Sequence, residues 1–194
     1  GITKWNLFRF AETLIPLIDD NRDKAILKAN EVVNNFSTIY KKYWIDMMRK
    51  KIGLFGEDIQ DENLINDLLD WMYEKKADYT NTFCSLTKKN IKEEKLFQDS
   101  KFIDWYKRWK IRLAQNNKPY ELSLNLMNLN NPLVIPRNHK VEESLEEASN
   151  NNNLKPIHKL LKILKKPYDF NTENDDYKSP PTPNMRKYKT FCGT

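Results

Sequence analysis

Glycine scarcity constrains this chain more than any other feature. Four glycines occur in 194 residues, and Gly1 and Gly193 sit at the ends, leaving Gly53 and Gly56 as the interior pair. A β-sandwich or barrel turns at many corners that require left-handed backbone, which glycine adopts without steric cost. Two interior glycines cannot supply those corners. The same scarcity excludes from this chain a GxGxxG fingerprint, a Walker A loop and a GxSxG nucleophile elbow. The chain is long enough to bury roughly 70% of its unfolded surface without covalent staples, and the apolar spacing set out below makes all-α the expected fold class. Its 12% aromatic content, with five Trp, is that of a globular sequence.

Apolar residues recur at intervals of three and four. Over Ile2–Ile18, the residues Leu7, Phe8, Ala11, Leu14, Ile15 and Ile18 share one face, and Pro16 bends or ends the helix. A second helix is predicted over Asp23–Lys51, with Ala29, Val32, Phe36, Ile39, Tyr43 and Met47 as a seam. A core stripe is the preferred reading of that seam, a coiled coil the other. Lys50 and Lys51 suit its C-terminal dipole, and Gly53 can cap it. Asp61 reads as the N-cap of a third helix bearing Leu64, Ile65, Leu68 and Met72. A fourth covers Asp78–Lys89, with Tyr79, Phe83 and Leu86 inward. The fifth starts near Ser100 and carries Phe102, Tyr106, Trp109 and Leu113 on one stripe. Trp105 adjoins that stripe, with Lys107, Arg108 and Arg112 toward other faces. Leu122, Leu124, Leu126 and Leu129 hint at a strand, but Pro119 in a first turn favours a helix. After the loop Asn131–Asn138, Asn138 can cap a helix with Val141, Leu145 and Ala148, and Pro156 opens a last one through Lys165. The expected organisation is a helical domain over 1–166 and an irregular, Pro-rich tail over 167–194, with Pro167, Pro180, Pro181 and Pro183.

Reactive residues are few. Cys84 and Cys192 are the only cysteines, His139 and His158 the only histidines, so no four-Cys zinc site and no HExxH occur. No metal site is expected. The net charge of +6 raises the question of nucleic acid, yet only seven of the 33 basic residues are Arg and the Lys are scattered among acids. A solvated Lys-rich surface is the preferred reading over a phosphate-tracking groove. Aromatics spaced as in the fifth helix are more often core than a base-stacking platform. No apolar run approaches 18 residues, so no membrane span is expected. The chain opens without Met in a usable amphipathic pattern, which suggests a fragment of a longer protein.

Several strings resemble one family. Trp5-Asn6-Leu7 with Arg9, Ala11, Leu14, Pro16 and Leu17 is similar to the segment after the catalytic core in selenoprotein O-like proteins. Asp78–Phe83 reads DYTNTF, Asn131–Glu142 reads NPLVIPRNHKVE, and Tyr168, Tyr177, Pro180-Pro181 and Phe191-Cys192-Gly193-Thr194 follow in order. The resemblance implies a kinase-like fold that transfers AMP from ATP to Ser, Thr or Tyr hydroxyls of proteins. This chain would then be the helical C-terminal part of the large lobe plus the tail. The family's nucleotide-binding Lys, catalytic base and magnesium ligands precede the Trp-Asn-Leu string. ATP and Mg²⁺ are therefore expected in the intact parent, and neither in this chain alone, which would be inactive.

The resemblance carries over one functional residue. Animal members hold selenocysteine third from the C-terminus and many bacterial members hold Cys, which makes Cys192 the expected redox residue. Cys84 reads as a small core or surface thiol that does not pair with it. Arg137, Asn138 and His139 read first as structural, through a carboxylate bridge, a helix cap and a backbone hydrogen bond. Proximity to nucleotide or substrate in the intact protein is their second reading. The expected partners are the missing N-terminal catalytic half and protein substrates, with self-association of the fragment through Trp5, Leu7, Phe8 and Phe10. A cytoplasmic location is expected for a bacterial protein and a mitochondrial one for a eukaryotic protein. The competing function is a non-enzymatic helical interaction or regulatory module.

Overall fold

In the computed structural model, residues 1–169 and 175–182 are described, and among them the chain is helical with no strand. It forms two compact units, Gly1–Met48 and the chain from Arg49 onward.

The first unit is built from two helices, α1 (Ile2–Ile18) and α2 (Arg22–Lys51), the latter crossing the boundary in its last turn. Pro16 lies in the last turn of α1, which ends two residues later, as a proline that blocks an upstream hydrogen bond requires. Between the helices Asp19 Oδ1 accepts the Asn21 N–H, and Asn21 Oδ1 accepts the Lys24 N–H and so caps α2. The expected face of α1 is half-buried at all six positions. The expected seam of α2 is not a core stripe. Val32, Ile39, Tyr43 and Met47 are exposed, while Ala25, Val33 and Met48 are buried. A helix with apolar residues on neighbouring stripes offers two registers one residue apart, and periodicity cannot choose between them.

The second unit contains α3 (Asp61–Lys75), α4 (Tyr79–Ser85), α5 (Ser100–Ala114), α6 (Tyr120–Asn130), α7 (Asn138–Asn151), α8 (Lys155–Leu164) and the single turn α9 (Asp175–Lys178). Its core lies where α3 packs on α5. Trp71, Phe97, Phe102, Trp105 and Trp109 are all buried and form a run of ring contacts, with Trp105 and Trp109 stacked at 5.6 Å. Each indole N–H finds an acceptor: Trp71 on Asp99 Oδ1 at 3.0 Å, Trp105 on Leu64 O and Trp109 on Ile52 O, both at 2.8 Å. These rings are core, not a stacking surface.

The end of α2 closes as a Schellman motif. Leu54 N–H reaches Arg49 O at 2.9 Å and Gly53 N–H reaches Lys50 O at 3.2 Å, with Gly53 at φ 73°. A Cβ there would meet Ser123 O at 3.0 Å, so the glycine also lets α6 approach. Asn116 ties the same corner together: it donates to Gly53 O and Ser123 Oγ and accepts from Phe55 N–H.

Four expectations need correction. Asp61 is the first residue of α3 rather than its cap, because its carboxylate is committed to two arginines. The fourth helix stops at Ser85 and passes into the 3-10 turns Ile91–Glu93 and Lys95–Gln98, and Tyr79 is exposed. Arg112 turns inward to Asp61. Arg137, not Asn138, occupies the N-cap of α7, where Ser144 is buried and Leu145 exposed.

Candidate functional site

Polar chemistry concentrates at two places in the second unit. At the first, Asp61 is wholly buried and accepts Arg49 Nε and Arg112 Nε, each at 2.7 Å, and the Asp58 N–H at 3.0 Å. Burial pushes its pKa up, but the bonds from Arg112, Arg49 and Asp58 outweigh it and hold the carboxyl below its ordinary 3.8. An adjoining cleft of about 290 Å³ includes Arg108 and Arg112 in its lining. Both guanidiniums are engaged by carboxylates, Arg108 by Asp67 at 2.7 Å. The arrangement joins the ends of α2, α3 and α5 and serves structure.

The second place contains the residues singled out in the sequence. Arg137 is buried and forks onto Asp78, with Nη1 to Oδ2 at 2.8 Å and Nη2 to Oδ1 at 3.0 Å. Asp78 also caps α4, because its Oδ1 accepts the Asn81 N–H at 2.9 Å. Asn81 accepts a third bond from Arg137 and donates through Nδ2 to Lys178 O in α9 at 3.1 Å. The bridge expected of Arg137 is therefore present, and it reaches the segment leading to the C-terminus.

One turn along α4, Cys84 is buried and its Sγ–H donates to Pro132 O at 3.4 Å. Burial, opposed by Lys51 and Lys88, pushes the thiol up to about 11. Lys51 donates to Asn130 O and Asn131 Oδ1 and stands 5.3 Å from the Phe83 ring centre, and burial lowers its pKa. At neutral pH this cluster offers a protonated thiol rather than a nucleophile.

Asn138 is exposed at the start of α7 and caps nothing. His139 is half-buried, and its Nδ1 has no hydrogen-bond partner among the described residues. Burial and the neighbouring Lys140 and Arg137 lower its pKa, which keeps the imidazole neutral near pH 7. These three consecutive residues thus enter different surroundings and form no nucleophile–base pair. Cys192 lies outside the described residues. Among those described, no three His, Cys, Asp or Glu side chains are grouped to hold a metal, and no helix is long and apolar enough to cross a membrane. Reading the sequence missed the contact of Asn81 with α9 and the placement of Lys51 beside Cys84. Neither has a signal in local spacing, since the partners lie 97 residues apart in one case and on separate helices in the other.

The chain is similar to curated proteins along its whole length. It is 48% identical over 194 residues to the Protein nucleotidyltransferase YdiU of Alcanivorax borkumensis and 50% identical over 193 residues to that of Pelagibacter ubique. To that of Bacillus cereus it is 45% identical over 190 residues. The first two comparisons cover all of this chain and 40% of each relative, and the third covers 98% and 39%. A family model described as Protein adenylyltransferase SelO matches residues 1–165. With most of its length inside that match, the chain belongs to the SelO family of protein adenylyltransferases.

Proposed function

We propose that this chain is the C-terminal portion of a kinase-like protein adenylyltransferase that moves AMP from ATP to Ser, Thr or Tyr hydroxyls. The observation that carries the reading is unbroken similarity, at 45–50% identity, to proteins named nucleotidyltransferases. The chain spans about 40% of their length. ATP and Mg²⁺ bind in the remainder of the intact protein, which is cytoplasmic if bacterial and mitochondrial if eukaryotic, and there a lysine and the metal offset charge on the phosphates. Residues 1–166 act as the helical part of the large lobe, and 167–194 as a tail bearing the redox residue Cys192. Oxidation at Cys192 controls the activity: Cys192 and a second thiol outside this chain give two electrons and two protons to an oxidant such as glutathione disulfide, and an S–S bond forms.

The test incubates this chain, and separately the full-length Pelagibacter ubique relative, with Mg²⁺ and ATP labelled on the α-phosphate in the presence of bacterial protein. Label is expected on protein only with the full-length relative. Labelling by the 194-residue chain overturns the division of labour, and no labelling by the relative overturns the activity.

A further inference from the structure

We propose that the surface spanning the 3-10 turn Ile91–Glu93, α5 and the loop into α6 docks an acidic segment of a separate protein. Lysines are scattered along the sequence, but the charge surplus is not. Residues 88–118 hold ten basic residues against four acids, and that surplus of six equals the net charge of the whole chain. Lys88, Lys101, Lys107, Arg108 and Arg112 are matched by carboxylates. Lys92, Lys110 and Lys118 are exposed and pair with no carboxylate among the described residues, and that includes their sequence neighbours Glu93 and Glu121. Each of the three ammoniums stands over a ring instead: Lys92 at 4.9 Å from the Tyr106 centre, Lys110 at 4.2 Å from Tyr120 and Lys118 at 4.5 Å from Phe55. They belong to one surface. Tyr106 meets Trp109 edge-on at 5.2 Å, Lys110 also stands 5.8 Å from the Trp109 centre, and Lys118 lies two residues ahead of Tyr120. Burial and then the charge of Lys92 lower the pKa of Lys110, so these two cations repel one another.

Uncompensated like charges gathered at one place draw an anionic partner. Ammoniums held over three separate rings suit carboxylates spaced along a chain better than a single phosphate. A lysine lying over Tyr106, Tyr120 or Phe55 takes the ring face that a nucleic-acid base would stack on, and no arginine fork is free among these cations. Both features disfavour nucleic acid. Lysine is depleted in the cores of interfaces, while charges at a rim govern the rate of encounter, which suits a partner that binds reversibly. The ring contacts already restrict these side chains, so less freedom is lost when they meet carboxylates. Docking of this kind needs no AMP transfer and stands apart from it.

Fluorescence anisotropy of a fluorescein-labelled oligoglutamate of about ten residues, titrated with this chain at low salt, tests the proposal. Binding is expected for that peptide and not for a Gly-Ser peptide of the same length. The combined Lys92→Gln, Lys110→Gln and Lys118→Gln variant should bind about tenfold more weakly. The corresponding triple Arg variant keeps the charge and should stay within about twofold of the parent. Lys155→Gln, Lys162→Gln and Lys165→Gln together remove the same charge from exposed positions on and just after α8, and should cost no more than about twofold. No binding by the parent, an unchanged affinity in the first variant, or an equal loss in both Gln variants overturns the proposal. An oligothymidylate of matching charge that binds more tightly than the peptide, and loses affinity in the first variant, assigns the surface to nucleic acid and overturns it as well.

Discussion

At the scale of single residues, two buried groups titrate in opposite senses. Asp61 is held below its ordinary pKa because Arg112, Arg49 and the Asp58 N–H outweigh the effect of burial. Its stabilisation is present above the unfolded value of 3.8 and is lost as pH falls through the lower folded value. Replacing Asp61 with Asn leaves two guanidiniums facing a neutral amide, and a broken buried pair costs about 3–5 kcal/mol. Urea unfolding at pH 7 should show a loss of that order, and an acid titration of D61N should lose the stability step seen in the parent. Cys84 behaves inversely. Burial raises its thiol from 9.0 to about 11, so the unfolded chain ionises first and stability declines as pH rises between those values. Cys84→Ala should remove that decline while creating a small cavity. Native Cys84 should also alkylate far more slowly at pH 8 than in urea, as read by mass spectrometry; equal rates would contradict its burial.

At the scale of elements, helix ends carry the sharpest expectations. Gly53 ends α2 with φ 73°, and an added Cβ would meet Ser123 O at 3.0 Å and Met127 Cγ at 3.1 Å. Left-handed strain and a backbone clash act together, so Gly53→Ala should destabilise by about 2–4 kcal/mol in thermal or urea melts. Lys76 ends α3 in the same geometry, with Ala77 N–H on Met72 O at 2.9 Å and φ 52°, but it has a side chain. Lys76→Gly should stabilise by up to about 1 kcal/mol. The first of these caps was legible in the sequence, because a glycine follows basic residues at the end of a periodic run. The second was not, since lysine does not advertise left-handed backbone. Helix positions were legible wherever one apolar stripe stood alone, as in α3, where Leu64, Ile65, Leu68 and Met72 are buried. They failed where two stripes compete, as in α2, or where a charge is drawn inward by a distant partner, as Arg112 is by Asp61. The Arg137 bridge was foreseeable as a type of bond, but its acceptor Asp78 lies 59 residues earlier and only the fold names it.

For the second unit as a whole, the described parts of the tail return to one edge. Pro167 O accepts the Leu133 N–H at 2.7 Å, Asn81 Nδ2 donates to Lys178 O at 3.1 Å, and Lys140 and Lys159 stand 5.7 and 5.5 Å from the Tyr177 ring centre. Arg137 contributes indirectly, by fixing Asp78 and Asn81 at the start of α4. The segment ahead of Cys192 is thus fastened to α4, α7 and α8 by a few polar contacts. Each cation–π contact contributes about 0.5–1 kcal/mol at such sites, so losing both at Tyr177 shifts local opening by roughly tenfold. Tyr177→Ala should therefore speed tryptic cleavage after Lys178 about tenfold, while the global melt moves by no more than about 0.5 kcal/mol. Arg137→Lys should speed the same cleavage and also lower the melt, because a single ammonium cannot fork onto Asp78 while holding Asn81. Mass spectrometry of the digest locates the cut. Unchanged cleavage after Lys178 in both variants would mean that these contacts do not hold the segment, and the path from this edge to Cys192 would need another anchor.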